Sequence, residues 1–484
     1  MEQYTIGVGF FSLVAYLDST QRDQGGILTS PDVQVRVMRK GPSARASGFT
    51  ESVIREMTRL CQAYGAVNLA QGFPDFDPPA SIKRAAATAI SKGYNQYSTT
   101  YGTMGLRKAI ARKMRAYNHI DCNVDEITVT CGTTEGMIAS ELALLDRGDE
   151  VVIFEPFYEN YGPDAILSGA KCRYVKLREP DFQIEEETLK KAFNRKTKAV
   201  IINTPHNPTG RVLTGQELGL VRDLCQDYDS YAITDEIYEH ILFDGHQHLS
   251  IGSLPGMEDR TITISGFSKT YSVTGWRVGY VVAPKPLTSA IRKVHDFLTV
   301  CAPTPLQEAC TAALQLPESY YEHLRENYRK GREILVESLK NAGFGVFKPE
   351  GAYYVWTTTN STGFRDDRKL ALHLITKIGV GGVPGSSFFH LPSNGRLRFR
   401  FSFSKKPETI HRAIKRLEKF SPGHPVPHSN RGIPHRLAVN SKPLANATSL
   451  SAQGLRVARV IWSREPQTGR VRIDQGASRT TLYA

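Results

Sequence analysis

No Cys-x-x-Cys pair occurs in this sequence, and its seven cysteines, at 61, 122, 131, 172, 225, 301 and 310, are odd in number and scattered. That pattern excludes the common zinc ligand spacings and fits reduced thiols better than a disulfide framework. Long apolar runs are missing too. None approaches the roughly 20 residues needed to cross a bilayer, and the stretch from Ile6 to Leu17 is short. It follows Glu2 in place of a basic cluster and lacks a small-residue cleavage site, so a cytoplasmic address is expected over a secretory one. Acidic residues fall short of basic ones, 48 against 61, for a net charge of +13. This excess does not describe a nucleic-acid surface. Residues 421–484 carry nine Lys/Arg against Glu465 and Asp474, so more than half of it sits in that tail. Residues 1–44 contain no helix-turn-helix pattern, and no internal repeat is present.

What the chain does have is the length of a protein of more than one domain, with ordinary apolar and charged fractions of 40% and 23%. Residues 1–44 lack sustained periodicity, whereas from about 45 the pattern is that of an α/β protein. Strand-like runs recur at Ile127–Thr130, Glu150–Phe154, Ala199–Asn203, Tyr231–Thr234, Thr261–Ser265 and Val278–Val282, with helix-like segments between most of them. The alternation predicts a largely parallel sheet covered on both faces, with ligands at the carboxyl ends of its strands. A charged, amphipathic pattern from Glu318 to Asn341 predicts a long helix leading out of that sheet. Beyond it, Ala352–Thr357, Gly379–Val383 and Arg396–Phe403 predict a smaller α+β domain. We therefore expect an extension over 1–44, an arm with part of the small domain over 45–90, a large domain over 91–325 and the small C-terminal domain over 326–420. The tail 421–484, opening Ser-Pro-Gly-His-Pro, reads as disordered or weakly ordered.

Lys269 follows the β-branched run Thr261-Ile262-Thr263-Ile264 in a small-residue loop, and Arg277 follows in Gly275-Trp276-Arg277-Val278-Gly279. A lysine desolvated there has its pKa lowered and becomes an amine nucleophile that holds an aldehyde as a Schiff base. The arginine offers a planar, permanently charged fork for a phosphate. Together they point to pyridoxal phosphate. Thr130-Cys131-Gly132-Thr133-Thr134-Glu135 joins a strand to a helix expected near Glu135, a place for a phosphate or for a plain threonine cap. Asn203-Thr204-Pro205-His206-Asn207-Pro208 stiffens a loop that presents Asn207. Asp235 ends a strand and is a partner for a pyridinium nitrogen or a helix cap, with Tyr238 three residues on. Tyr158, in Glu155-Pro156-Phe157-Tyr158, offers a ring for stacking or for the core. In Arg396-Leu397-Arg398-Phe399-Arg400-Phe401 the alternation places three arginines on one face. Such a face is either solvated or holds a carboxylate clamp.

In combination these segments resemble the fold-type I, class I/II aminotransferases, from about Gly48 to Phe420 and in the family's order. The matching text runs from Asn68-Leu69-Ala70-Gln71-Gly72-Phe73-Pro74-Asp75 through Tyr97, with Gly102 and Gly105, to the threonine loop, Tyr158, Asn207, Asp235, Tyr238, Lys269, Arg277 and Arg400. The resemblance implies a three-layer αβα pyridoxal-phosphate transferase fold, with 91–325 binding the cofactor, pyridoxal 5'-phosphate, and no metal. It implies that Lys269 binds the cofactor aldehyde and afterwards moves the substrate α-proton. Asp235 would keep the ring nitrogen protonated, and Asn207 and Tyr238 would bond the phenolic oxygen. Tyr158 would stack on the ring, while Thr133, Thr134, Ser268 and Arg277 would hold the phosphate. Arg400 would take the substrate α-carboxylate, with Gly72 and Asn207 beside it. Tyr97 would reach the phosphate of a neighbouring subunit, which implies a homodimer. Many relatives place a phosphate-binding serine where this chain has Gly266, so Ser265 or Ser268 is expected to substitute for it.

The strings Gln71-Gly72-Phe73-Pro74-Asp75-Phe76 and Arg400-Phe401-Ser402-Phe403-Ser404-Lys405 look most like the kynurenine and glutamine transaminase branch, which implies aromatic or neutral amino donors and a 2-oxo acid acceptor. Aspartate transamination is the alternative. It needs a further cation for the side-chain carboxylate, for which Arg398 or a partner-subunit arginine is the candidate. A β-lyase acting on cysteine conjugates would use the same groups. A transcriptional regulator would need the DNA-binding module that residues 1–44 lack.

Overall fold

A computed structural model describes residues 43–420 and, beyond them, the strands Glu2–Val8, Phe11–Leu17, Val33–Val37, Val471–Gln475 and Ser478–Leu482. The first three of these pair as an antiparallel sheet, so the segment expected to lack periodicity carries regular pairing. Val33-Gln34-Val35-Arg36-Val37 alternates strictly and Tyr4, Ile6 and Val8 keep the same period, a short two-residue pattern that the expectation of no sustained periodicity passed over. In the second unit, 428–484, Val471–Gln475 pairs with Ser478–Leu482 inside the tail expected to be disordered. The rest of that tail lies outside the described residues.

The central element is a seven-stranded sheet. Its strands are β1 (Ile127–Thr130), β2 (Glu150–Glu155), β3 (Lys171–Lys176), β4 (Thr197–Asn203), β5 (Tyr231–Asp235), β6 (Thr261–Gly266) and β7 (Gly279–Val282). They lie in the order β1-β7-β6-β5-β4-β2-β3, and β7 alone runs against its neighbours. Six of the seven coincide with the runs expected from sequence. The run Ala199-Val200-Ile201-Ile202 in β4 and Ala232-Ile233 in β5 suit burial on both faces, and Val200, Ile201, Ile202 and Ile233 are buried. The strand not anticipated, β3, is at the edge and reads Lys-Cys-Arg-Tyr-Val-Lys, with only Val175 fully covered. An edge strand needs no apolar run to be stable in a sheet.

Register brings the chemistry to one end of this sheet. Asp235 closes β5 opposite Asn203 of β4 and Ile264 of β6. Gly266 closes β6 opposite Gly279 of β7, so residues 267–278 make one excursion beyond the sheet and return. The helix Thr133–Leu144 leaves β1 at the same end. It begins two residues before the expected Glu135, with Gly132 (φ 81°) rather than a threonine as its cap.

The helix Glu318–Asn341 spans the range expected for it. After it comes a four-stranded antiparallel sheet of β8 (Gly345–Phe347), β9 (Tyr354–Thr358), β10 (Val383–Pro384) and β11 (Arg398–Ser402), in the order β8-β9-β11-β10. Val67–Asn68 pairs in parallel with Val380–Gly381 as a separate two-stranded sheet, and the Ser402 amide of β11 donates to the Leu69 carbonyl at 2.8 Å. Trp356, Phe388, Phe399, Phe401 and Phe403 fill the core at the four-stranded sheet. Among the described residues no helix is long and apolar enough to cross a membrane.

Candidate active site

Lys269 is the first residue to consider, because the excursion after β6 carries it back towards the arm. Its ammonium donates to the carbonyl oxygen of Gly72 at 3.0 Å. The Tyr353 hydroxyl donates to the same oxygen at 2.9 Å. Burial, with Arg277 nearby, pushes the Lys269 ammonium down to about 8, while Asp235 pulls the other way. A measurable fraction is therefore free amine at neutral pH.

Asp235 is buried at the end of β5. It accepts from the hydroxyl of Tyr161 at 2.9 Å and from the amide of Ile237 at 3.2 Å. Burial raises its carboxyl to about 6, against those two donors. The Asn203 side chain donates to the Asp235 carbonyl at 2.8 Å and accepts from the amide of Asn207 at 2.7 Å, so the loop of Asn207 is keyed to the strand that ends in Asp235. Tyr238 is also buried, its hydroxyl 2.8 Å from that of Tyr354. Tyr158 is half-buried and meets Tyr161 edge-on at 5.7 Å.

Arg400 sits on β11 and is 1% exposed, so the arginine face of this strand is interior at its centre and not solvated. It donates to Oδ1 of Asn207 at 2.6 Å and to the carbonyl of Ala70 at 2.9 Å, and its Nε has no partner among the described residues. The guanidinium lies over the rings of Tyr354 and Phe388, 4.1 and 4.9 Å from their centroids. A permanently charged fork with an unused donor is matched to a carboxylate.

The third part lies at the start of the helix Thr133–Leu144. Arg277, in the left-handed region at φ 53°, is exposed and donates to the carbonyl oxygens of Thr274 and Cys131. A Cβ on Gly132 would stand 2.2 Å from its Nη2, and one on Gly279 would stand 2.7 Å from the amide nitrogen of Thr133. Both glycines are needed for this close approach. Thr133 is half-buried and Thr134 exposed in the first turn of the helix. Helix amides and an exposed arginine meet at this end, with two hydroxyls in the same turn, and this donor set fits the phosphate of the cofactor.

Several expectations change here. Gly266 has no room for the usual serine, since a Cβ would come 2.9 Å from the Cα of Gly279 and 3.1 Å from the carbonyl of Val278. Ser265 does not replace it, because its hydroxyl donates to Glu239 at 2.6 Å within a buried group that includes Glu236, Lys113, Asn118 and His248. Ser268, 6% exposed on the turn before Lys269, remains as the candidate. Arg398 is occupied in this structure: Glu179 binds its Nε and Nη2, and Nη1 donates to the Leu397 carbonyl at 3.0 Å. Tyr97 lies apart from the cluster, 81% exposed. Three tyrosines not anticipated in these roles, Tyr161, Tyr353 and Tyr354, supply hydroxyls at its centre. Tyr161 stands three residues beyond Tyr158 at the end of the same aromatic stretch, whereas nothing in the Tyr353-Tyr354 pair marked it out.

A parallel-sheet enzyme with a desolvated lysine and an anion cradle at the carboxyl ends of its strands has the architecture of pyridoxal-phosphate transferases, and comparison with known proteins narrows that class. Residues 64–417 match the family model for aminotransferase class I and II, and the chain belongs to that family. It is 35% identical over 379 residues to a methionine aminotransferase of Escherichia coli, covering 78% of this chain and 98% of that one. A kynurenine–oxoglutarate transaminase of Dictyostelium discoideum is 34% identical over 420 residues, with 78% and 96% covered. Another relative, from Pyrococcus abyssi, is named aspartate aminotransferase, at 36% identity over 357 residues, with 73% and 91% covered. Among solved structures, N-succinyldiaminopimelate aminotransferase from Mycobacterium tuberculosis superposes with a TM-score of 0.77 at 35% identity, covering 79% of this chain and 100% of that one. The protein is a transaminase that uses pyridoxal 5'-phosphate.

Proposed function

We propose that this transaminase takes the amino group of aromatic or neutral α-amino acids, in a kynurenine- or glutamine-like range, and passes it to a 2-oxo acid by a ping-pong mechanism. The observation that carries the substrate class is the fate of Arg398, whose charge Glu179 already neutralises, beside an Arg400 surrounded by Tyr354 and Phe388. Arg400 serves one carboxylate, the buried Lys405 is occupied by the backbone carbonyls of Gln71 and Phe73, and the aromatic rings suit an apolar side chain. The aspartate reading retains the partner subunit as the source of a second cation.

The bound cofactor supplies an aldehyde carbon for the amino group and a ring that accepts electrons from the α-carbon. Lys269 is the residue we assign to holding that aldehyde, and its amine would also move the substrate α-proton. Its lowered pKa supports both tasks. Asp235 would hold a proton at the ring nitrogen, and a cation there would offset the burial that now raises its carboxyl. Asn207 and Tyr238 would bond the phenolic oxygen, Tyr158 would stack on the ring, and Thr133, Thr134, Ser268 and Arg277 would bind phosphate. Arg400 binds the α-carboxylate, with Asn207 and Gly72 beside it. Gly72 is packed so closely that a Cβ would lie 2.0 Å from the Tyr354 hydroxyl.

We also assign the working form to a homodimer in which Tyr97 completes the partner's phosphate site. Tyr97 and Phe297 are 81% and 91% exposed, and their segments are joined by the bond between His295 and the Thr100 carbonyl at 2.7 Å. Aromatic exposure of that extent suits an interface. The seven thiols, all free, fit a reducing, cytoplasmic address.

Mixing the loaded enzyme with single donors and following the cofactor spectrum tests the substrate class. Phenylalanine, kynurenine and methionine should convert it faster than aspartate. The reverse order would make the protein an aspartate aminotransferase.

A further inference from the structure

Lys405 is 6% exposed, and among the described residues it forms no ion pair with a carboxylate. Its ammonium is spent on backbone. It donates to the carbonyl of Phe73 at 2.7 Å and reaches that of Gln71 at 3.4 Å, and it lies 3.8 Å from the centroid of the Phe73 ring. Between those two carbonyls is that of Gly72, which takes the ammonium of Lys269 on its other side. Neighbouring residues continue the attachment: the Ser402 amide donates to the Leu69 carbonyl at 2.8 Å, Arg400 to that of Ala70 at 2.9 Å, and the Lys406 amide to the Asp75 carboxylate at 2.5 Å. Residues 69–75 thus form a strap laid along residues 400–406, in which Lys405 holds the carbonyls on either side of Gly72 while Tyr353 and Lys269 donate to that of Gly72 itself.

We propose that Lys405 is a positioning residue for the amino-acid substrate, holding Gln71–Phe73 so that Gly72 stays against the carboxylate site of Arg400. A charged donor is matched to this task because one ammonium serves two carbonyls and its bonds are about twice as strong as neutral ones. Lys269 cannot hold the strap through the reaction, since the proposed mechanism commits its amine to the cofactor and the α-proton. The inference rests on the proposed role of Gly72 and Arg400 at the carboxylate.

Lys405→Met and Lys405→Arg should be compared with the wild-type holoenzyme. In Lys405→Met we expect KM to rise about tenfold for every donor while kcat stays within about twofold, the pattern of lost ground-state binding. Lys405→Arg should restore most of the affinity. Hydrogen exchange should quicken at the amides of residues 71–75 in the Met variant and stay unchanged in the sheet, a readout that needs no turnover. Unchanged exchange in the strap, or faster exchange with unchanged KM, overturns the proposal. If the Met variant does not fold, a Lys405→Gln protein is judged by the same two measurements. Failure of the wild type to transaminate any α-amino acid would instead count against the functional reading, and the exchange data would still judge Lys405 as a tether.

Discussion

Arg400 and Asn207, 193 residues apart in sequence, meet at 2.6 Å between Nη1 and Oδ1. The contact joins the residue proposed to bind the substrate to one proposed to bind the cofactor. The Asn207 amide is itself fixed by Asn203, which is fixed to Asp235. A carboxylate on Arg400 is therefore referenced through three contacts to the strand that ends in Asp235.

That geometry makes Arg400→Ala a test of the α-carboxylate site. Because the contact would be common to all donors, KM should rise by roughly two orders of magnitude for each of them, whatever the side chain. Steady-state kinetics with phenylalanine, methionine and aspartate would check this. A loss confined to one of the three would make Arg400 a side-chain selector.

Tyr161→Phe addresses the electrostatics of Asp235. The Tyr161 hydroxyl donates to the carboxylate and so favours its charged form. Burial holds this carboxyl near 6 in the cofactor-free protein, and with a ring cation beside it the loss of the Tyr161 donor should still shift it upward. The acid limb of the kcat profile should then move to higher pH, and kcat at pH 7 should fall several-fold, on the order of 1 kcal/mol for one hydrogen bond to a charged group. A pH–rate profile that does not move would separate the hydroxyl from the titration.

Much of this site was legible in the sequence because its main residues follow β-branched strands, and a strand's carboxyl end can be located from one dimension. Asp235, Asn207 and Lys269 are of that kind, and Arg400 stood in an alternating run. What was not legible depends on approach between distant segments. Tyr161 is 74 residues from the carboxylate it supports, and Arg398 meets Glu179 across 219 residues, an encounter no local pattern announces. The edge strand β3 escaped notice for a different reason, since its side chains are mostly half-covered and carry no apolar period.

Gly266 illustrates how a departure from a family's pattern is explained by packing. The atoms a Cβ would meet, the Gly279 Cα and the Val278 carbonyl, are both backbone, and backbone within a sheet cannot swing aside. Gly266→Ser should accordingly destabilise the protein by about 1–3 kcal/mol, the usual range for overpacking, without tightening the cofactor. Thermal unfolding and cofactor titration of the variant would show it. A serine that improved cofactor binding at unchanged stability would contradict the close approach of β6 and β7.

Asp164 offers a prediction about stability away from the site. It lies in the helix Tyr161–Ser168 with Oδ2 unpartnered, near a buried Glu141 neither of whose carboxylate oxygens has a partner among the described residues. Burial pushes the Asp164 carboxyl from 3.8 up to about 7. In the unfolded chain it titrates near 3.8, so between these values the native state binds the extra proton and stability must fall as pH rises. Below the lower value the group contributes no difference, and above the upper one the loss is complete. Asn at this position cannot ionise. Asp164→Asn should therefore be more stable than the wild type at pH 8, by something on the order of 2 kcal/mol, with an advantage that shrinks steadily as pH is lowered towards 4. Urea unfolding at pH 4.5, 6 and 8 would measure it. An advantage of the same size at all three would mean that packing of the amide, not ionisation of the acid, sets the difference.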